Sequence, residues 1–120
     1  MRTLAAALIA SALAAAPAAA QSFDCGAATK PDEFAVCDSR SLSNLDVEMN
    51  AYWWVLYHRI PLEDDVKNYE HDLQRDFLRT RAACGNDEAC IAAAYHKRIE
   101  EMKTTITNSM HNYCAAVGRC

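Results

Sequence analysis

Cysteines are the residues whose number and spacing most directly indicate a chemistry in this chain. There are six, and an even number in an exported chain favours disulfide bonds over free thiols. Many pairings are possible, but the spacing groups the cysteines as neighbours along the chain, and the first pair follows by elimination. We therefore predict three disulfides: Cys25 with Cys37, Cys84 with Cys90, and Cys114 with Cys120.

Metal binding and thiol exchange are not favoured by the same residues. Neither the Cys-x5-Cys repeats nor the four histidines reproduce the close ligand pairs of structural zinc sites. The chain contains no Cys-x-x-Cys motif for thiol exchange. The sequence therefore predicts no metal site and no cofactor.

Catalytic groups are also not indicated. Acyl transfer needs a nucleophile beside a base on a constrained turn, but there is no Gly-x-Ser-x-Gly motif and every cysteine is assigned to a bridge. Neighbouring acidic residues could supply the two carboxylates of a glycosidase. Here they fall in predicted first helical turns, where the positive end of the helix dipole already favours acidic side chains. The groups are Asp32 with Glu33, Glu63 to Asp65, and Asp87 with Glu88. We predict a protein that is not an enzyme.

The N-terminal twenty residues have the composition of a cleavable secretory signal. One cation, Arg2, precedes an apolar centre at residues 4–15 and a small-residue end at residues 18–20. The run is mostly alanine and too weakly apolar for a transmembrane helix, and no cysteine stands at the cleavage point to carry a lipid. We predict that residues 1–20 are removed and that residues 21–120 reach the periplasm without a membrane anchor.

Net charge limits the classes of partner. The chain has a formal net charge of −4, which becomes more negative once Arg2 is removed with the signal. An acidic chain is unsuited to a phosphate backbone, so we predict no nucleic-acid partner. A cationic protein partner is favoured instead.

Apolar periodicity predicts the elements that position these residues. Three stripes at helical spacing run from Leu45 to Leu56, from Leu62 to Phe77 and from Ile91 to Met110. A shorter helix is expected to begin at Pro31, since proline is tolerated in a first turn. The prediction is an all-α domain over residues 21–120: a small, disulfide-stapled, up-down bundle of three main helices with a short N-terminal helix.

Helix ends carry their own signals. Ser41 is expected to cap the first main helix and Asn86 the last one. Pro61, followed by acidic residues, has the form of a helix start, and Gly85 suits the left-handed conformation that ends a helix. A Cys84–Cys90 bond would then close a loop over one helix reversal and fix the angle between two helices.

Five polar residues are expected to converge across this hairpin. Gln74 and Arg81 are seven residues apart on one helix face, and Tyr95 and Arg98 are three apart on the next helix. Asp46 is the expected counter-ion, because a buried arginine must be paired. Two interpretations stay open, namely a structural network that fixes helix register and a recognition surface.

The residues around the hairpin resemble those of the LprI-type family of small exported lysozyme inhibitors. The resemblance covers about residues 23–102, and this chain departs from it by Phe77, where tryptophan is usual, and by the added Cys114 and Cys120. It implies inhibition of a lysozyme or a related peptidoglycan hydrolase without catalysis. The matching positions are Phe23-Asp24-Cys25, Cys37, Leu45-Asp46, Tyr52, Arg81-x-x-Cys84-x5-Cys90, Tyr95 and Arg98.

An inhibitor of this kind needs a rigid, protruding element complementary to a basic enzyme. The candidate contacts are Asn86, Asp87 and Glu88 at the stapled tip, and Asp64 and Asp65 at an unstapled tip. The alternative is that these residues only cap and start helices. Trp54, which helical geometry points away from the core-facing Trp53, is a further anchor candidate because tryptophan is enriched in interface hot spots.

Two other functions stay open on the sequence alone. One is an envelope interaction or assembly module that uses an apolar helix face and leaves lysozyme untouched. The other is a peptidoglycan-active enzyme, which would show turnover by itself.

Overall fold

Four α-helices make up the fold of the computed structural model, which describes residues 22–120. A single 3₁₀ turn at Cys25–Ala27 precedes α1 (Pro31–Asp38), α2 (Arg40–Arg59), α3 (Asp64–Ala83) and α4 (Glu88–Val117). No strand occurs in residues 22–120. The predicted bundle of three main helices with a short N-terminal helix is confirmed, whereas the predicted signal lies outside the described residues.

The last helix occupies the centre of the bundle. α4 packs along α2 and α3, and α1 packs against all three of them at one end. α4 has 30 residues, or about 45 Å at 1.5 Å per residue, whereas α2 and α3 have 20 residues each, or about 30 Å. The C-terminal turns of α4 therefore run past the end of its neighbours.

The hydrophobic core draws on all four helices and on the α2–α3 connection. The α4 stripe is buried as far as Met102, but Ile106 is only half-buried and Met110 is exposed. The predicted stripe thus runs on beyond the core at Met110, because no other helix of residues 22–120 reaches that far along α4. The buried apolar side chains are Val36, Leu42, Met49, Leu56, Leu62, Phe77, Ile91, Ala94, Tyr95, Ile99 and Met102.

Two predicted helix caps are wrong by one or two residues. α2 begins directly after Ser39 rather than at Ser41, because Ser39 is the single extended residue between α1 and α2. α4 is capped by Asp87 rather than Asn86: its carboxylate accepts a hydrogen bond from the Cys90 N–H at 3.0 Å. Gly85 adopts the predicted left-handed conformation, with φ of 60°.

All three predicted disulfides are confirmed. The Cα atoms are 5.8 Å apart in the first pair, 5.6 Å in the second and 5.4 Å in the third. The first bond joins the 3₁₀ turn to α1, the second spans the α3–α4 turn, and the third ties the C-terminal tail to α4. The pairs are Cys25–Cys37, Cys84–Cys90 and Cys114–Cys120.

Removing the hairpin disulfide should lower the thermal stability. Replacing Cys84 and Cys90 by Ser frees a short loop in the unfolded chain, which costs about 2 kcal/mol of folding free energy and about 10 °C in Tm. Thermal unfolding followed by circular dichroism measures the loss. Cys114→Ser with Cys120→Ser is the matched control, since the sequence separation is again 6. The tail can fray without opening the core, so the control variant is expected to lose less thermal stability. Equal losses in the two variants would contradict a special role for the hairpin bond.

Candidate functional site

The predicted polar residues form two buried clusters rather than one. In the first cluster Arg81 Nε donates to Asp32 Oδ2 at 2.8 Å, and Arg81 Nη1 donates to the Tyr95 hydroxyl at 3.1 Å. That hydroxyl in turn donates to Asp46 Oδ1 at 2.9 Å. The convergence of Asp46, Arg81 and Tyr95 is confirmed. The carboxylate paired with Arg81 is that of Asp32, however, and the expectation that Asp46 serves as its counter-ion is wrong.

The second cluster surrounds Arg98. Its Nη2 donates to Glu70 Oε2 at 2.7 Å, and its Nε donates to Gln74 Oε1 at 3.0 Å. The Thr105 hydroxyl donates to the other Glu70 oxygen at 2.6 Å. Gln74 and Arg98 therefore meet each other, as expected, but neither donates to nor accepts from Arg81. Arg98 and Glu70 are at most 1% exposed, so this ion pair is sealed from solvent.

Asp32 and Glu70 are the site residues that the sequence analysis missed. Asp32 has the position of an ordinary first-turn acid, yet it is four residues before the core residue Val36 and only 1% exposed. Glu70 lies in a polar stretch of α3 but is seven residues before the core residue Phe77. In both cases the helical period places the carboxylate on the buried face. That spacing is the signal that could have identified them.

Together these contacts connect every main helix to another. Arg81–Asp32 joins α3 to α1, Tyr95–Asp46 joins α4 to α2, and Arg98–Glu70 joins α4 to α3. A buried charge without its partner is costly, so a shift of one helix along another would separate these pairs and be disfavoured. The geometry favours the interpretation of a structural network that fixes register.

An open groove between α2 and α3 gives access to the first cluster. Its volume is about 350 Å³, and Asp46, Gln74 and Arg81 are among its lining residues. The start of the described chain lies over it: the Ser22 hydroxyl donates to Asp46 at 3.0 Å, and the Ser22 N–H donates to the same carboxylate. The Phe23 ring centre is 5.5 Å from the Arg81 guanidinium carbon. The N-terminal segment thus covers part of the network.

Burial raises the pKa of the Tyr95 hydroxyl, and the negative charge of Asp46 raises it further, although Arg81 opposes the rise. In the folded state Tyr95 therefore keeps its hydroxyl proton at pH values where an unfolded tyrosine, with a pKa of 10.0, has lost it. Burial also raises the pKa of the half-buried Tyr57. These hydroxyls make the folded state sensitive to alkali.

We expect stability to fall as pH rises above 10. A group whose folded pKa is raised contributes full stability below its unfolded pKa and loses it as pH rises towards the folded pKa. Urea unfolding at several pH values between 8 and 11.5, about the range around the unfolded tyrosine pKa, measures the slope. Tyr95→Phe should be less stable at pH 8, because a buried hydrogen bond is lost, but should show a shallower decline. An unchanged slope would contradict the assignment to Tyr95.

The stapled tip is held at three points. The Cys84–Cys90 bond closes the turn, Asp87 caps α4, and the Ser39 hydroxyl donates to Glu88 Oε2 at 2.9 Å. This last contact joins the tip to the α1–α2 junction, where Asp38 is also exposed. Asn86, Asp87 and Glu88 are exposed as well. We refer to Asp38, Asp87 and Glu88 as the acidic tip.

The second predicted tip lies at the start of α3 and differs in its electrostatics. Asp64 Oδ1 pairs with Lys67 Nζ at 3.0 Å, and Asp65 Oδ1 accepts from the N–H of Val66 at 2.9 Å. Both acids are exposed, and no disulfide joins this segment. The charge of Asp64 is therefore largely offset.

The two neighbouring tryptophans divide as expected. Trp53 is half-buried and packs against Tyr57 and His71, with ring centres 4.3 and 5.6 Å apart. Trp54 is 46% exposed and stacks on His58 at 5.0 Å. It lies near the C-terminal end of α2, away from the acidic tip.

Comparisons of the chain with protein-family models, with curated proteins and with solved structures find no match. Among residues 22–120 no helix is long and apolar enough to cross a membrane. The same residues contain no group of three or more side chains suited to holding a metal ion. The resemblance to lysozyme inhibitors thus rests on the residues quoted for it.

Proposed function

We propose that this protein is an exported, periplasmic inhibitor of a basic lysozyme or related peptidoglycan hydrolase, and that it acts by occluding the glycan cleft without catalysis. The supporting observation is the acidic tip. Three exposed carboxylates lie at one end of the bundle, and two disulfides and the Ser39–Glu88 hydrogen bond hold that end in place. The resemblance of the hairpin to the LprI-type family points to the same partner.

Rigidity favours the tip as the binding element. Association must overcome the entropy of ordering loops and side chains, so a pre-ordered element binds more tightly than a mobile one with the same contacts. Asp87 and Glu88 each accept one hydrogen bond within the protein, from Cys90 and Ser39. A carboxylate has about four acceptor positions, so both can still accept from a cation of the partner.

Both tips have a nearby cation, Arg40 beside the acidic tip and Lys67 at the start of α3. Lys67 offsets Asp64 there, and Arg59 lies a few residues before it at the end of α2. Opposite charges across an interface speed association and fix orientation, whereas mixed charge does so weakly. The hairpin disulfide and the hydrogen bond to Glu88 therefore favour the acidic tip over the start of α3 as the element that meets a cationic cleft.

A muropeptide-release assay with and without lysozyme tests the proposal. The protein is mixed with purified peptidoglycan alone, with lysozyme and peptidoglycan, and with a second muramidase and peptidoglycan. We expect no release by the protein itself and a dose-dependent loss of release by at least one hydrolase. Release by the protein alone would identify an enzyme. No effect on any hydrolase would leave an interaction module, and either result would overturn inhibition.

A further inference from the structure

The end of α4 carries an apolar face that no other part of residues 22–120 covers. Met110, Tyr113 and Val117 are 38%, 48% and 45% exposed. They continue the stripe formed by Ile99, Met102 and Ile106 at helical spacing, so the face that is core near the middle of α4 becomes surface near its end. The reason is the length of α4, which exceeds that of α2 by 10 residues.

A groove lies directly beside this face. It has a volume of about 470 Å³ and is bordered by the end of α2, by Ile60 and Pro61, and by Met110 and Tyr113. One molecule therefore presents a projecting helix end and, next to it, a groove in which the apolar Ile60, Pro61 and Met110 lie beside the polar side chains of His58 and Arg59. A patch with both features is self-complementary, as a two-fold symmetric dimer requires.

The charge pattern favours a second copy as the occupant. Residues 104–118 contain no Asp, Glu, Lys or Arg, although 23% of the whole chain is charged. Two copies with a net charge of −4 each repel one another over most of their surface. The end of α4 adds no acidic side chain to that repulsion, because residues 104–118 contain none.

The tail disulfide adds a second argument for this face. An exposed helix end normally frays, because its last carbonyls lack partners. Here Gly118 ends the helix in the left-handed conformation, with φ of 71°, and Cys114–Cys120 ties the tail back to the helix. The end is thus held in helical form although little packs on it. Such pre-ordering lowers the entropy cost of docking a second helix.

We propose that two copies of this protein associate through residues 106–117 of α4, each helix end lying in the groove of the other copy beside Ile60 and Pro61. The patch covers about three helical turns, or about 16 Å. A contact of about three turns on each copy is expected to be weak, with a dissociation constant on the order of micromolar. The acidic tip is at the opposite end of each copy and stays exposed in the dimer.

Sedimentation velocity of the protein, expressed from its full chain, tests the association. Measurements cover about 1 μM to 1 mM, the range in which a small interface dissociates. We expect a monomer–dimer equilibrium that is unchanged or strengthened at high salt, because screening weakens the repulsion between two acidic copies. A monomer throughout this range, or a dimer that dissociates at high salt, would overturn the proposal.

Substitution locates the interface. Tyr113→Glu should weaken association at least about 10-fold, because the symmetric contact brings like charges together. Val117→Glu provides a second variant on the same face. Tyr69→Glu is the matched control, since Tyr69 is 60% exposed on α3, and association should change less than about 2-fold because that surface is not in the contact. Equal weakening by the control, or none by either α4 variant, would contradict the proposed face. Inhibition of a hydrolase by the acidic tip should survive in Tyr113→Glu, which keeps the two proposals separate.

Discussion

Replacing Glu70 by Ala is expected to lower the free energy of unfolding by about 3–5 kcal/mol, the largest stability effect we predict for one substitution. The Arg98 guanidinium is 1% exposed and would lose its closest carboxylate partner, which is 2.7 Å away, and keep only the longer 3.5 Å ion pair with Glu101. Since small domains are stable by only about 5–15 kcal/mol, much of the protein should unfold at temperatures where the parent is folded. Urea unfolding with circular dichroism measures the loss.

Two comparison variants separate burial from charge. Asp72→Ala breaks an exposed pair with Arg75 on the same helix, and an exposed ion pair contributes less than about 1 kcal/mol. Glu70→Leu with Arg98→Met removes both buried charges, and apolar replacement of a whole buried pair is often neutral or stabilising. A Glu70→Ala loss no greater than the Asp72→Ala loss would show that the remaining contacts of Arg98, with Gln74 and Glu101, are enough to hold it.

Neutralising the acidic tip should weaken inhibition at least about 10-fold, since close charge pairs across an interface contribute strongly to affinity. The variant combines Asp38→Asn, Asp87→Ser and Glu88→Gln. Serine is chosen at position 87 because it can still cap α4, so stability should change by only about 1 kcal/mol. The inhibition constant against the hydrolase identified in the muropeptide assay is the measured quantity.

The matched control removes the same number of negative charges from the other tip. It combines Glu63→Gln, Asp64→Asn and Asp65→Asn, all exposed residues at the start of α3. Long-range attraction to a basic enzyme falls equally in both variants, so only a direct contact makes them differ. Equal losses of inhibition would mean that net charge alone acts. If inhibition is unaltered in both variants, the contact lies on a helix face, and Trp54 is the next residue to test.

The sequence was sufficient for the features that depend on local patterns. Apolar spacing predicts the helices, and short separations along the chain predict the disulfides, because both are set by residues close together in sequence. Helix caps were less accurate, since Asn86 and Asp87 are both good capping residues and only the hydrogen bond to Cys90 decides between them. Periodicity predicts which face of a helix is apolar.

Features that depend on distant residues were harder to predict. The Met110 stripe shows an apolar face, but whether α2 reaches far enough to cover it is a matter of relative helix length in space. Arg81 clearly needs a carboxylate, but Asp32 and Asp46 both arrive from other helices, and only their positions in the fold show which one forms the ion pair. Sequence spacing therefore does not predict which residues pair with each other in a buried network.

The central position of α4 has a consequence for how the chain folds as it is made. Because α2 and α3 pack mainly on the last helix, the apolar faces that α4 covers stay exposed until α4 has been made, whereas α1 and α2 can pack together earlier. The disulfides can form before the last helix has packed. Their separations along the chain are only 12, 6 and 6 residues, so each pair is complete shortly after its first cysteine appears. If each pair oxidises in order of appearance, native pairing precedes native packing, and no bond has to be exchanged later.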